Sequence, residues 1–184
     1  MNLSTLSTAL GHVFSDRVLL QTALTHRSFG MPHNERLEFI GDGVLNCVIA
    51  LALYRRYPAL AEGDLSRLRA SLVRQDALHR LAVSLKIGDF LRLGEGELKN
   101  GGSQRPSILA DTVEALIGAV YLDGGFDAAQ ALIARLYLPL FDELNPGHAA
   151  VDHVLDSITA GATDADDLDH GPLRCVVNHF EFHD

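Results

Sequence analysis

The sequence predicts an all-α protein. Long strings of Leu and Ala recur at helical spacing with few β-branched alternations. The chain is 47% hydrophobic but only 7% aromatic, with no Trp, which favours a core of aliphatic side chains. Its 184 residues provide for one domain of ordinary size followed by a tail; two full domains would be cramped.

Residues 3 to 10 and 16 to 24 read as short helices, the second with Val18, Leu19, Ala23 and Leu24 facing inward. The polar turn THRS at 25 to 28 follows, and its His26 is taken as structural. Asn34 is placed to cap a longer helix that should run to about Tyr57, before Pro58 stops it. In that helix Leu37, Ile40, Val44, Leu45, Val48 and Ile49 form an apolar stripe. Glu35, Glu38 and Asp42, three and four residues apart, stack on an acidic face beside it. Gly41 and Gly43 each cost roughly 1 kcal/mol relative to Ala in a helix, so they call for close approach by another helix or a partner subunit.

Asp64 is expected to cap LSRLRASLVRQ, which continues after a bend as DALHRLAVSLK. Leu78, Leu81, Ala82 and Leu85 share one face, and Arg67, Arg69, Arg74 and Arg80 take the polar side. Residues 94 to 106, GEGELKNGGSQRP, read as a mobile loop. Pro106 suits the first turn of a helix, and SILADTVEALIGAVYL is apolar nearly all the way round, which makes it central. Asp111 and Glu114 interrupt it, three apart on one face. Asp127 is expected to cap a last helix that Pro139 kinks or breaks, and Pro146 and Gly147 mark a boundary.

Residues 148 to 184 differ in character, with eight acids against one base, a net charge of −7, and five of the nine His. They are expected to be largely disordered, with CVVNHFEF at 175 to 182 able to form a short strand. Residues 1 to 147 carry 16 acids and 14 bases, a net of −2, so cations bound at the clustered acids leave this part neutral or mildly basic. Cys47 and Cys175 are too few for a disulfide framework, and the first residues lack the pattern of a secretory signal. The apolar run from Val44 to Tyr54 is too short to span a membrane. A cytoplasmic protein with no membrane partner is expected.

An ion pair with Arg36 or a neighbouring helix accounts for one acidic pair on a helix. Two pairs on two strongly apolar helices, far apart in sequence, are harder to explain as surface decoration. Clustered carboxylates that lose hydration need neutralising, and hard oxygen ligands without a competing Cys/His set select Mg²⁺ or Mn²⁺ over zinc. That composition suits metal-assisted phosphoryl chemistry. A helical phosphohydrolase acting on nucleotides is a more distant alternative, since such enzymes usually need His ligands and no His sits beside the two pairs.

NERLEFIGDGVL resembles the signature of ribonuclease III, the family that cuts double-stranded RNA. LLQTALTHRSF, EGDLSRLRASLV, GELKNGG and SILADTVEALIGAVYLDGGF are similar to other blocks of its catalytic domain, in the same order. The resemblance covers about residues 3 to 147. It implies the helical endonuclease-domain fold of that family, a homodimer with a valley for duplex RNA, and Mg²⁺ as cofactor, with Mn²⁺ as a substitute. The family's metal-binding carboxylates fall on Glu38, Asp42, Asp111 and Glu114, with Asp42 and Glu114 catalytic. Glu35 and Glu62 are similar to family residues that support the valley, and Phe39 resembles one that packs across the dimer interface. The expected organisation is a catalytic domain over 1 to 147 and an acidic tail over 148 to 184. The tail's 37 residues are too few for the double-stranded-RNA-binding domain usual in bacterial members. A dimeric RNA-binding or scaffold protein that kept the fold without the activity is the rival reading. It has no reason to retain four mutually repelling acids.

Overall fold

The computed structural model describes residues 3 to 144, and the calls made for residues 148 to 184 lie outside them. Seven α-helices make up the described residues: α1 (Leu3–Leu10), α2 (Arg17–Ala23), α3 (Glu35–Arg56), α4 (Glu62–Val73), α5 (Gln75–Ser84), α6 (Glu95–Lys99) and α7 (Pro106–Glu143). Among them there is no strand. A single bridge pairs Thr25 with Arg92 and ties the turn after α2 to the segment before α6. The all-α expectation holds.

The core is the packing of α3 on α7, with α5, α4 and α2 laid around that pair. Leu37, Leu45, Val48, Ile49 and Leu53 of α3 are buried against Val113, Leu116, Ile117 and Val120 of α7 in one continuous cluster. Both helices are long and apolar enough to cross a membrane by length and composition, although the run from Val44 to Tyr54 is not. Here they serve as core helices.

Helix α7 is interrupted once, at Gly125, where φ is 80° and ψ −174°. Only glycine adopts such a conformation without strain. The break precedes the expected cap at Asp127. Pro139 does not break the helix: the dihedrals around it stay helical, as its fixed φ allows. Residues on both sides of the break, Val113, Leu116 and Ile117 before it and Leu132, Ile133 and Leu136 after it, are buried in the same core cluster.

Several local expectations are corrected. Val18 is 60% exposed, because α2 meets the core through Leu20 and Ala23, with Leu24 buried just after it. Asn34 precedes α3 but makes no side-chain cap bond and is itself buried. Helix α4 starts at Glu62, so Asp64 lies in its first turn and pairs with Arg67 instead of capping. The bend before α5 falls at Arg74, whose extended dihedrals part the two helices. Residues 94 to 106 hold α6 and a 3-10 turn at Gly102–Gln104, fixed where Arg105 Nη1 meets Glu97 Oε1 at 2.7 Å.

Candidate metal centre

The site begins with a close helix crossing. A Cβ on Gly41 would lie 1.8 Å from the Glu114 carbonyl oxygen, and one on Gly118 would lie 2.1 Å from that of Leu37. The two glycines therefore allow the α3 and α7 backbones to meet where any side chain would hold them apart. Glu38, next to Leu37, and Glu114, one turn before Gly118, are carried to the same place. Asp111, a turn earlier on α7, completes the group. Each of the three offers a carboxylate oxygen, and these oxygens lie within 4.8 Å of one another, all partly buried.

That arrangement is electrostatically costly without a cation. Burial, followed by the charges of Asp42, Glu38 and Asp111, pushes the Glu114 carboxyl from 4.5 up to about 8. Burial also raises Glu38, with further increments from Asp111, Glu35 and Asp42 and an opposing one from Arg27. Asp111 is raised by burial and lowered in part by His26. Three converging oxygen donors with suppressed ionisation and no Cys or His fit a hard divalent cation.

The structure treats the remaining predicted residues differently. Asp42 is exposed at the margin of the group. Its Oδ1 accepts from Asn46 Nδ2 at 2.8 Å, and its charge reaches Glu38 and Glu114 although it does not join the three converging oxygens. Glu35 is half exposed and faces Arg27, whose Nη1 donates to its Oε1 at 3.3 Å. Glu62 is exposed and accepts from Ser66 Oγ at 2.7 Å, and it is not one of the converging acids. Phe39 is 81% exposed on α3, and Gly43 has open space where a side chain would stand. Among the described residues Gly41 meets another helix and Gly43 does not.

Sequence reasoning passed over two neighbours. His26, taken as structural, is brought toward Asp111 because His26 N donates to Arg92 O at 3.0 Å and holds the turn in place. Asn46 anchors Asp42 from one helical turn further on, an i,i+4 relation visible in the sequence only once Asp42 is suspected.

Residues 16–140 match a family profile described as Ribonuclease-III-like. The chain belongs to the ribonuclease-III-like family. A ribonuclease 3 of Dechloromonas aromatica is 68% identical over 143 residues, covering 78% of this chain and 64% of that protein. That of Aromatoleum aromaticum is 59% identical over 150 residues, 82% of this chain and 67% of its own. The chain thus spans about two thirds or less of the length of these curated relatives. The nuclease domain of the Campylobacter jejuni ribonuclease III superposes with a TM-score of 0.72 at 46% identity, covering 73% of this chain and 95% of that domain; a region of that domain is described as involved in dimer formation. The dicer of Pichia stipitis gives 0.54 at 29% identity, over 69% of this chain and 56% of its own. This ribonuclease-III-like chain therefore shares the family's nuclease-domain fold, as its resemblance implied.

Proposed function

We propose that this chain is a divalent-cation-dependent endoribonuclease that hydrolyses double-stranded RNA to 5′-phosphate and 3′-hydroxyl ends. The observation that carries the reading is the convergence of Glu38, Asp111 and Glu114 within 4.8 Å on two helices forced together by glycine. Mg²⁺ is the assigned cofactor and Mn²⁺ its substitute. Such a cation supplies an activated water nucleophile and stabilises charge on the phosphate.

The chain's own residues do the rest. Glu38, Asp111 and Glu114 hold the cation, and Asp42 is assigned as the outer acid, with one oxygen fixed by Asn46 and the other free to orient water. Asp42 and Glu114 carry catalysis. Glu35 and Glu62 line the valley. Phe39 and the open side of Gly43 face a second copy, so that each subunit of a homodimer cuts one strand and leaves short 3′ overhangs. Duplex shape and 2′-hydroxyls set specificity, because the deep major groove of A-form RNA hides base edges. Structured precursors of rRNA and mRNA in the cytoplasm are the substrates in this reading, and no membrane takes part.

The catalytic unit is assigned to residues 1 to 147 and the acidic segment to 148 to 184. With a net of −7 in that segment, duplex affinity should be low and fall steeply with salt. The test is incubation of the purified chain with long duplex RNA and Mg²⁺ at low ionic strength, with end analysis. Cleavage to 5′-phosphates that stops with EDTA or rising salt is expected. An intact duplex, under conditions where a related enzyme cuts, would sink the assignment and favour the scaffold reading.

A further inference from the structure

Charge is segregated along the chain. Residues 55 to 86, which run from the last turn of α3 through α4 and α5 to Lys86, carry seven bases and three acids, a net of +4. The rest of residues 1 to 147 carries seven bases against thirteen acids, a net of −6. The three helices lie together, since α4 packs on α3 and on α5. Arg55, Arg67, Arg74, Arg80 and Lys86 are exposed on this side. Local pairs take up part of its charge: Arg67 meets Asp64, and Arg74 Nε lies 3.9 Å from Asp76 Oδ2. Among the described residues no ion pair engages Arg55, Arg69 or Lys86. A side of one sign draws in a polyanion.

The chain supplies one from the edge of that side. Helix α7 ends at Glu143, and the Leu144 carbonyl accepts from the Tyr57 hydroxyl at 3.4 Å, two residues past Arg55. One turn earlier on α7, the Phe141 ring lies under Arg56, 6.0 Å from ring centre to guanidinium. The chain beyond Leu144 therefore sets out beside the first bases of the +4 stretch. In it Asp164, Asp166, Asp167 and Asp169 put four carboxylates into six positions with no base among them. Twenty residues join Leu144 to Asp164, a reach of up to about 66 Å. Helix α4 is only about 18 Å long.

We propose that the acidic segment docks on this side: the carboxylates from Asp164 to Asp169 meet the guanidinium groups of α4 and α5 and occupy them in place of RNA phosphates. Tethering makes a weak contact effective, because the segment competes at an effective concentration of about 1 mM. Arg55 lies roughly 25 Å along α3 from Glu38, so a docked segment opposes substrate binding and leaves the cation centre untouched. The docking is independent of the duplex-RNA reading above; its effect on substrate rests on that reading.

The chain's two lysines make the contact directly readable. A carbodiimide joins a carboxylate to an amine only where they touch. Lys86 lies on the basic side, and Lys99, off it with its Nζ 3.5 Å from Glu95, is the control. In the full chain at low salt Lys86 should link to Asp164, Asp166, Asp167 or Asp169, within one chain when normal and isotope-labelled copies are mixed, and the link should vanish at high salt. In Mg²⁺ at low salt, a variant with these four Asp changed to Asn should cleave long duplex RNA with a KM about 10-fold lower and kcat unchanged, the gain shrinking as salt rises. Adding Arg67→Gln, Arg69→Gln and Arg74→Gln, surface changes that leave the fold intact, should erase that gain. No link from the acidic segment to Lys86, an equal yield at Lys99, or links only between copies would overturn the docking. So would the same KM gain with and without the three arginines, which marks plain charge repulsion. If no variant cleaves duplex RNA, the nuclease reading fails, and the Lys86 links still decide the docking.

Discussion

Glu114 bears most of the cost of the site. Its carboxyl ionises near 8 instead of 4.5 because burial and three neighbouring acids oppose the charge. The sign of the linkage follows. Below 4.5 the carboxyl is neutral in both the folded and the unfolded chain, and no penalty applies. As pH climbs from there through about 8, the unfolded chain ionises first, and the folded state loses stability relative to it. Denaturation in EDTA should therefore show stability falling across that window by about 1–3 kcal/mol, discounted for the solvent that reaches a half-buried group. Glu114→Gln should flatten the fall and abolish cleavage while the protein stays folded. A slope in Glu114→Gln as steep as wild type would place the penalty elsewhere. The acids themselves were legible from their three- and four-residue spacing. Their order of burial was not, since it depends on how α7 packs, and so Asp42 proved more open than the three acids it was grouped with.

At the scale of the element, the centre exists because α3 and α7 touch at Gly41 and Gly118. A glycine within a helix signalled a close approach in the sequence, and Gly41 meets it. Gly43 gave the same signal and has open space, because periodicity places the two glycines on different faces and only the fold decides which face meets α7. Gly118→Ala should push a Cβ into the Leu37 carbonyl and separate the helices. The expected cost is about 1–3 kcal/mol of stability, read by urea denaturation, with a parallel loss of Mn²⁺ affinity. Unchanged stability would mean that the crossing tolerates a side chain and does not set the site. The helix boundaries near Pro58 and Pro106 were readable from local chemistry. Helix α6 was not, because Gly-rich polar composition reads as a loop, while the contact of Arg105 with Glu97 that orders it is tertiary.

At the scale of the molecule, the described residues hold an acidic centre between α3 and α7 and an exposed Phe39 on α3. A large aromatic 81% exposed beside an uncovered glycine is an uneconomical surface for a monomer. Sedimentation of the wild type should show a dimer, and Phe39→Ala should shift it toward monomer at micromolar concentration. A wild-type association constant in that variant would remove Phe39 from the interface. Fold class and helix order were readable because helical periodicity is local. The outward position of Phe39 came only with the packing of the opposite face of α3. The central claim is that Glu38, Asp111 and Glu114 form a divalent-cation site, and anomalous diffraction from crystals of the chain soaked in Mn²⁺ tests it most directly. The account predicts a peak among the three carboxylates, at roughly 2–2.2 Å from an oxygen of each. A peak elsewhere, or none there at saturating Mn²⁺, would contradict it.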